Sequence, residues 1–222
     1  MAGQQAADFD GARRQMVELQ LRGRGIADER VLRAMGSVPR ELFVDPRERA
    51  RAYDDAALPI ALGQSISQPY VVARMVELLE PTVGQLVLDI GTGSGYGAAV
   101  LAEMGCVVTS IERHARLADD ARARLREAGY AGRVDVRIGD GTLGDPDGGP
   151  WPRIIVGAAA PRIPATLRDQ LDPDGGRLVL PVGGRYEQRL VVVVRHGDEW
   201  IERDDGSVVF VPLIGAEGYR YD

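Results

Sequence analysis

An apolar run, Leu86-Val87-Leu88-Asp89-Ile90, passes directly into Gly91-Thr92-Gly93-Ser94-Gly95-Tyr96-Gly97, and the residues from Gly97 to Met104 then read as a helix. A strand that reaches a glycine-dense turn and leaves it as a helix permits few architectures. The glycines let backbone N–H groups and a helix N-terminus approach a ligand closely, because side chains are missing where contact is made. The turn therefore points to a chain that binds a nucleotide or nucleoside. It leaves the ligand open, since the first strand–turn–helix of any doubly wound sheet can carry such glycines.

The rest of the pattern fixes the fold class. Short apolar strands are predicted at Leu86–Ile90, Val107–Ile111, Val134–Ile138, Ile154–Val156 and Leu178–Val182, with helices around Tyr96–Met104, Ala115–Ala128 and Ile163–Leu171 between them. Such alternation predicts an α/β chain with a doubly wound, mostly parallel, Rossmann-like sheet covered on both faces. Arg189–Arg195 and Val208–Leu213, flanking a turn-rich stretch from Gly197 to Gly206, are expected to close it as antiparallel strands. Before the sheet, Met16, Leu19 and Leu21 recur at helical spacing, Asp28 is placed to cap a helix through Met35, and Pro46 opens a short third helix. The expected organisation is a disordered leader over 1–9 and one domain over 10–222, with a helical cap at 10–57 and the α/β core at 58–222.

Composition removes several chemistries. All 27 basic residues are arginine, so Schiff-base lysines and phosphate-loop lysines are excluded. A net charge of -6 argues against nucleic acid as the main partner, because a phosphate-binding face needs clustered cations. One cysteine, Cys106, and two histidines, His114 and His196, make a poor zinc set, and no metal is expected. No stretch has the length of a membrane span or the form of a signal peptide, so a cytoplasmic monomer without membrane contact is expected.

Two frames fit the glycine turn. Gly93-Ser94-Gly95-Tyr96-Gly97-Ala98 satisfies the G-x-G-x-x-A dinucleotide pattern, with Glu112 where a ribose-binding acid belongs. The other frame begins at Asp89, and D-x-G-x-G-x-G resembles the first motif of the class I methyltransferases that use S-adenosylmethionine (SAM). A carboxylate there suits a ligand with ammonium and sulfonium charges and would repel a pyrophosphate. Glu112 and Asp140 end the next two strands, the first suited to both ribose hydroxyls and the second to the adenine amino group. Gly91, Thr92, Gly93, Ser94, Gly95 and Gly141 complete the candidate donor site.

A second set of residues bears on the acceptor. Gly63-Gln64-Ser65-Ile66-Ser67-Gln68-Pro69-Tyr70, Ser110-Ile111-Glu112-Arg113, Gly139-Asp140-Gly141, Ala158-Ala159-Ala160-Pro161 and Val211-Pro212-Leu213-Ile214-Gly215 closely resemble the protein-L-isoaspartate O-methyltransferase family. Arg22-Gly23-Arg24-Gly25-Ile26 and Val38-Pro39-Arg40-Glu41-Leu42-Phe43-Val44 do so too, so the resemblance runs from about Gln15 to Gly218. It implies methylation of the carboxylate of L-isoaspartyl residues in proteins and peptides, with repair through a succinimide. It also implies that Ser67 is the catalytic-site hydroxyl, flanked by the substrate-binding residues Ile66 and Gln68. Four positions depart from the family pattern: Ala61 for the usual glycine, which would stiffen the approach to this loop, Ser65 for threonine, Gly97 for glutamine, and Gly157, which some members share, for threonine.

The chemistry agrees with the inventory. A carboxylate is already ionised at neutral pH and attacks a methyl group without a general base. Ser67 is then a hydrogen-bond donor that orients the acceptor, and no histidine is needed. The same residues also fit an enzyme that methylates an aspartate of one peptide in a biosynthetic pathway. An NAD-dependent oxidoreductase and a non-catalytic binding module are further alternatives.

Overall fold

The computed structural model describes residues 8–220. The part of the expected leader at 1–7 lies outside them, while Asp8 caps the first helix, accepting from the Gly11 N–H, and Phe9 already belongs to it. Helix α1 (Phe9–Gln15) runs on into a π-helical segment, Met16–Leu21, followed by α2 (Glu29–Ser37), whose N-terminus Asp28 caps through the Arg30 N–H. A two-stranded hairpin, β1 (Leu58–Pro59) and β2 (Ser65–Ile66), leads into α3 (Pro69–Leu79), with Pro69 in the first turn where its missing N–H costs nothing.

The main sheet then forms from β3 (Leu86–Ile90), β4 (Val107–Glu112), β5 (Val134–Ile138), β6 (Arg153–Val156), β7 (Asp174–Gly183), β8 (Gln188–His196) and β9 (Glu199–Val208), in the order β5-β4-β3-β6-β7-β8-β9. The pairs from β5 through β7 are parallel, and β8 and β9 are antiparallel additions. Helices α4 (Tyr96–Glu103), α5 (Ala115–Glu127) and α6 (Ala165–Asp169) supply the crossovers. Successive β3 residues face opposite sides, as the period of two requires. Val87 joins α2, α3, α4 and α5 in one apolar cluster, and Leu88 and Ile90 join Leu167, Leu171 and Trp151 in the other.

The expected antiparallel closure forms, but the bounds of its last strand need correction. That strand is Glu199–Val208, mostly in the stretch read as turn-rich, and Val209–Leu213 leaves the sheet. Nearly all of β9 is exposed or half-buried, so it has no apolar alternation to read, and its place is set by the β8 ladder. Pro212 cannot donate to a ladder, and the chain there makes only an isolated bridge to Ala159. In the approach to the acceptor loop Leu62, at φ 59°, and Gly63, at φ 68°, lie in the left-handed region, and Ala61 does not.

The helical N-terminal segment is tied down by a buried polar network. Arg13 Nε donates to the Tyr53 hydroxyl at 2.7 Å and Arg13 Nη2 to Glu41 at 3.0 Å, while the Tyr53 hydroxyl donates to the other Glu41 oxygen. Tyr53 is buried, so losing both bonds leaves its partners poorly satisfied. Tyr53→Phe is expected to lower unfolding stability by about 2 kcal/mol in urea denaturation. A loss below about 0.5 kcal/mol would mean that this network does not anchor the segment.

Candidate active site

The strand order reverses between β3 and β6, and a crevice opens where their carboxyl ends release the chain to opposite faces. Gly91, at φ 89°, starts the turn after β3, and a Cβ on it would meet the Gly157 backbone at 3.8 Å. Gly157, after β6, is held to β3 by its N–H, which donates to the Ile90 carbonyl at 2.8 Å. Gly95, at φ 90°, is the N-cap of α4, and only a residue without a Cβ adopts that conformation freely. Thr92 and Ser94 lie buried between these glycines, and the Ser94 hydroxyl accepts from the Tyr96 N–H.

Asp89 sits under this turn and is 7 % exposed. Ser110 Oγ donates to its Oδ2 at 2.6 Å and lies 2.5 Å from Thr92 Oγ1. With the Ser110 proton directed to the carboxylate, the Thr92 hydroxyl must donate to Ser110, so a chain of two hydroxyls orients the acid. Burial pushes the Asp89 carboxyl up to about 6; the Ser110 bond opposes that rise and the charge of Glu112 adds to it. An uncompensated carboxylate at this depth favours a cationic ligand group.

Glu112 is also buried, and its two oxygens accept from the Gly93 N–H at 2.9 Å and the His114 N–H at 3.0 Å. Each oxygen keeps a further lone pair, so the carboxylate both fixes the turn and retains acceptor capacity. Asp140 is partly engaged within the protein. Its Oδ1 accepts from the Thr142 N–H and hydroxyl, and its Oδ2 accepts from the Ala216 N–H at 2.8 Å. Burial alone would raise its pKa, but those bonds outweigh it and the Asp140 carboxyl lies below its ordinary range. Its side chain lines an adjoining cleft, whereas Gly141 lines the main cavity, where a Cβ would strike Ile90 Cγ2 at 2.5 Å.

Three cavities meet along the crevice. The first, about 360 Å³, is bounded by Gly91, Gly93, Glu112, Gly141, Gly157 and Leu213, which is room for a nucleoside. The second is a neck of about 80 Å³ bounded by Asp89, Thr92, Ile66, Ser67, Tyr96 and Phe210. The third, about 580 Å³, opens outward past Ser67, Gln68, Tyr70, Val209 and Phe210. Ser67 lines both the neck and the outer cleft. Ile66 is buried and paired with Leu58 across the hairpin. Both amide hydrogens of Gln68 go to Asp55, at 2.7 Å to the carboxylate and 3.1 Å to the carbonyl, leaving its side-chain oxygen for other partners.

Phe210 and Gly157 were not among the expected site residues, although both line the neck. Nothing in the local pattern marks Phe210, because the last strand ends before it. Gly97 opens onto the same neck, with nothing within 4 Å of where a Cβ would stand. Among the described residues no group of three His, Cys, Asp or Glu is arranged to hold a metal ion, and no helix is long and apolar enough to cross a membrane.

Residues 12–218 match the family model described as protein-L-isoaspartate(D-aspartate) O-methyltransferase. A protein-L-isoaspartate O-methyltransferase of Methanoregula boonei is 52% identical over 208 residues, which is 94% of this chain and 95% of the relative. A solved protein-L-isoaspartate O-methyltransferase superposes with a TM-score of 0.82 at 25% identity, covering 93% of this chain and 67% of its own. A Plasmodium falciparum chain, described as a candidate protein-L-isoaspartate O-methyltransferase in complex with S-adenosyl-L-homocysteine, shares the fold at a TM-score of 0.77. It is 24% identical and covers 91% of this chain and 98% of its own.

The position of Asp89 has a cost in the ligand-free protein. Its folded pKa, about 6, lies above the ordinary carboxyl value, so the folded state holds the proton more tightly than the unfolded chain. The penalty is absent below the unfolded pKa, grows as pH rises through the folded one, and is complete above it. Asp89→Asn is therefore expected to stabilise the ligand-free protein at pH 7.5 by roughly 3 kcal/mol, with the gain shrinking as pH falls toward 4. Guanidinium unfolding across that range checks this; a gain independent of pH would remove the buried charge as its cause.

Proposed function

The chain belongs to the protein-L-isoaspartate(D-aspartate) O-methyltransferase family, and from that premise we propose that it methylates the free carboxylate of L-isoaspartyl residues in damaged proteins and peptides. The observation that carries the reading is the continuity of the crevice. A nucleoside-sized cavity, a neck under a buried acid, and an open cleft meet at the hydroxyl-bearing loop of Ser67.

The donor cavity fits S-adenosylmethionine on the structure's own terms. Gly91 and Gly157 leave the backbone bare at the switch point, and Glu112 faces the cavity with acceptor capacity for hydroxyls. Asp89 supplies buried negative charge at the neck, where a positively charged methionine portion belongs. When bound, SAM would supply a methyl group on a cationic sulfur; the acceptor carboxylate oxygen would take the methyl as the sulfur leaves in the neutral thioether S-adenosylhomocysteine, and the ester would close to a succinimide with loss of methanol.

The chain's own residues then have distinct tasks. Asp89 holds donor cations, with Thr92 and Ser110 fixing its orientation. Glu112 accepts from the ribose, and the turn from Gly91 through Thr92, Gly93 and Ser94 to Gly95 encloses the donor. Gly141 forms the flat wall for the base. Asp140 braces the loop around Ala216 against that wall, and its Oδ2 keeps a lone pair for the adenine amino group. Ser67 donates a hydrogen bond that aims the acceptor oxygen down the neck, and Ile66 and Gln68 flank it. Tyr96 and Phe210 exclude water there, which strengthens every charge interaction inside. A dinucleotide fits less well, since its pyrophosphate would lie over the Asp89 carboxylate. A monomer working in the cytoplasm, without nucleic acid, completes the proposal; its net charge of -6 supports the last point.

The test is methyl transfer to matched isoaspartyl and aspartyl peptides of several unrelated sequences. Transfer to the isoaspartyl set alone is expected; turnover of one aspartyl peptide only would assign a biosynthetic role instead. Ser67→Ala is expected to lower kcat/KM for the peptide about 10- to 100-fold while leaving SAM affinity within about twofold. Asp89→Asn should weaken SAM binding at least about tenfold by calorimetry, and wild-type affinity should fall as pH drops below about 6. NAD binding without SAM binding would overturn the reading.

A further inference from the structure

We propose that Arg40 is a positioning residue for methyl transfer, holding the acceptor loop in register with the donor turn; this rests on the methyltransferase reading above. Arg40 is wholly buried, with no solvent exposure. Its Nε donates to the Ala52 carbonyl at 2.7 Å and its Nη2 to the Ser67 carbonyl at 2.8 Å. The guanidinium stands 4.8 Å from the centre of the Tyr96 ring. It therefore touches the N-terminal segment, the acceptor loop at Ser67, and the first residue of α4 after the glycine turn.

Its surroundings do not explain it as a stabilising group. No ion pair engages it among the described residues, and Nη1 is buried without a partner. Taking an unpaired cation out of water is costly, and an apolar side chain of similar length often serves stability as well or better. What the guanidinium supplies is geometry. Two donors fixed in one plane span two carbonyls while the plane's face rests on an aromatic ring, and neither a lysine nor a methionine reproduces that. The bond to Ser67 is charge-assisted and made to the backbone, so it fixes the loop without consuming the Ser67 hydroxyl. Ser67 and Tyr96 both border the neck, so a guanidinium joined to both sets the width of the passage the methyl group crosses.

The experiment compares wild type, Arg40→Met and Arg40→Lys. For each variant, thermal unfolding, SAM affinity by calorimetry, and kcat and KM for an isoaspartyl peptide are measured well below the melting temperature. Misplacing the loop lowers the fraction of aligned encounters, so Arg40→Met is expected to lose about 30- to 100-fold in kcat. KM should change less than about threefold and SAM affinity less than about twofold. Arg40→Lys keeps the charge and one donor and should recover part of the loss, to about tenfold below wild type. Amide exchange in residues 64–70 should quicken in both variants while exchange in residues 86–90 stays unchanged. A folded Arg40→Met with kcat within threefold of wild type overturns the proposal, as does a fall in SAM affinity that matches the fall in kcat. If Arg40→Met does not fold, Arg40→Lys within twofold of wild type overturns it. If wild type itself fails to methylate the peptide, the methyltransferase reading fails, and amide exchange still decides whether Arg40 orders the loop.

Discussion

Two neighbouring strands, β3 and β6, end side by side and send the chain to opposite faces of the sheet, and the site depends on that divergence. After β3 the chain turns toward α4, which packs with the cluster containing Val87; after β6 it turns toward Leu167 and the cluster containing Leu88. No covering helix can occupy the gap between the two exits. The gap must still satisfy its backbone groups, and the pairing of the Gly157 N–H with the Ile90 carbonyl does so while keeping both strands' ends level. Side chains would close the opening from within, so glycine faces glycine across it.

Once the gap exists, its chemistry follows from what the strands deliver to it. Asp89 lies at the end of β3 among apolar neighbours, and its register opposite Ser110 supplies the hydroxyl that orients it. The same register brings Glu112 to the end of β4, where it binds the turn that Asp89 lies beneath. The charge of Glu112 adds to the rise in the Asp89 proton affinity, so a buried carboxylate beside a second acid is unfavourable without a cation. A cationic ligand group beside Asp89 offsets that cost. Stability has been given up where binding needs it.

The sequence made the donor half legible because its determinants are local. The β3 strand and its turn are contiguous, and Leu86–Ile90 and Val134–Ile138 form with the bounds their apolar runs predict. Glu112 could be placed because strand length fixes where it ends. Features that depend on distant partners were not legible in the same way. Asp140 meets Ala216, 76 residues away, and nothing near Asp140 announces that contact. Nothing near Gln68 announces that Asp55, 13 residues back, takes its amide hydrogens. Arg40 stands between Pro39 and Glu41, where nothing local marks it as buried, and its partner Ser67 lies 27 residues on. The edge strand β9 was hidden for another reason, since a strand with little to bury carries no apolar rhythm.

These long-range contacts divide the crevice into halves of opposite charge. The donor half is built on a buried acid, Asp89, and the acceptor half is backed by a buried cation, Arg40. Each suits the reactant proposed for its side, a sulfonium on one and a carboxylate on the other. Neither protein charge needs to travel or change protonation for the reaction to occur. The reactants' own charges cancel as the methyl moves, so a dry neck lined by Ile66, Tyr96 and Phe210 favours the crossing more than a polar, solvated one would. A site of this kind needs alignment and exclusion of water more than acid–base groups. That accounts for a crevice in which backbone glycines, one serine and two buried charges take the places that histidine or metal hold in other transfer enzymes.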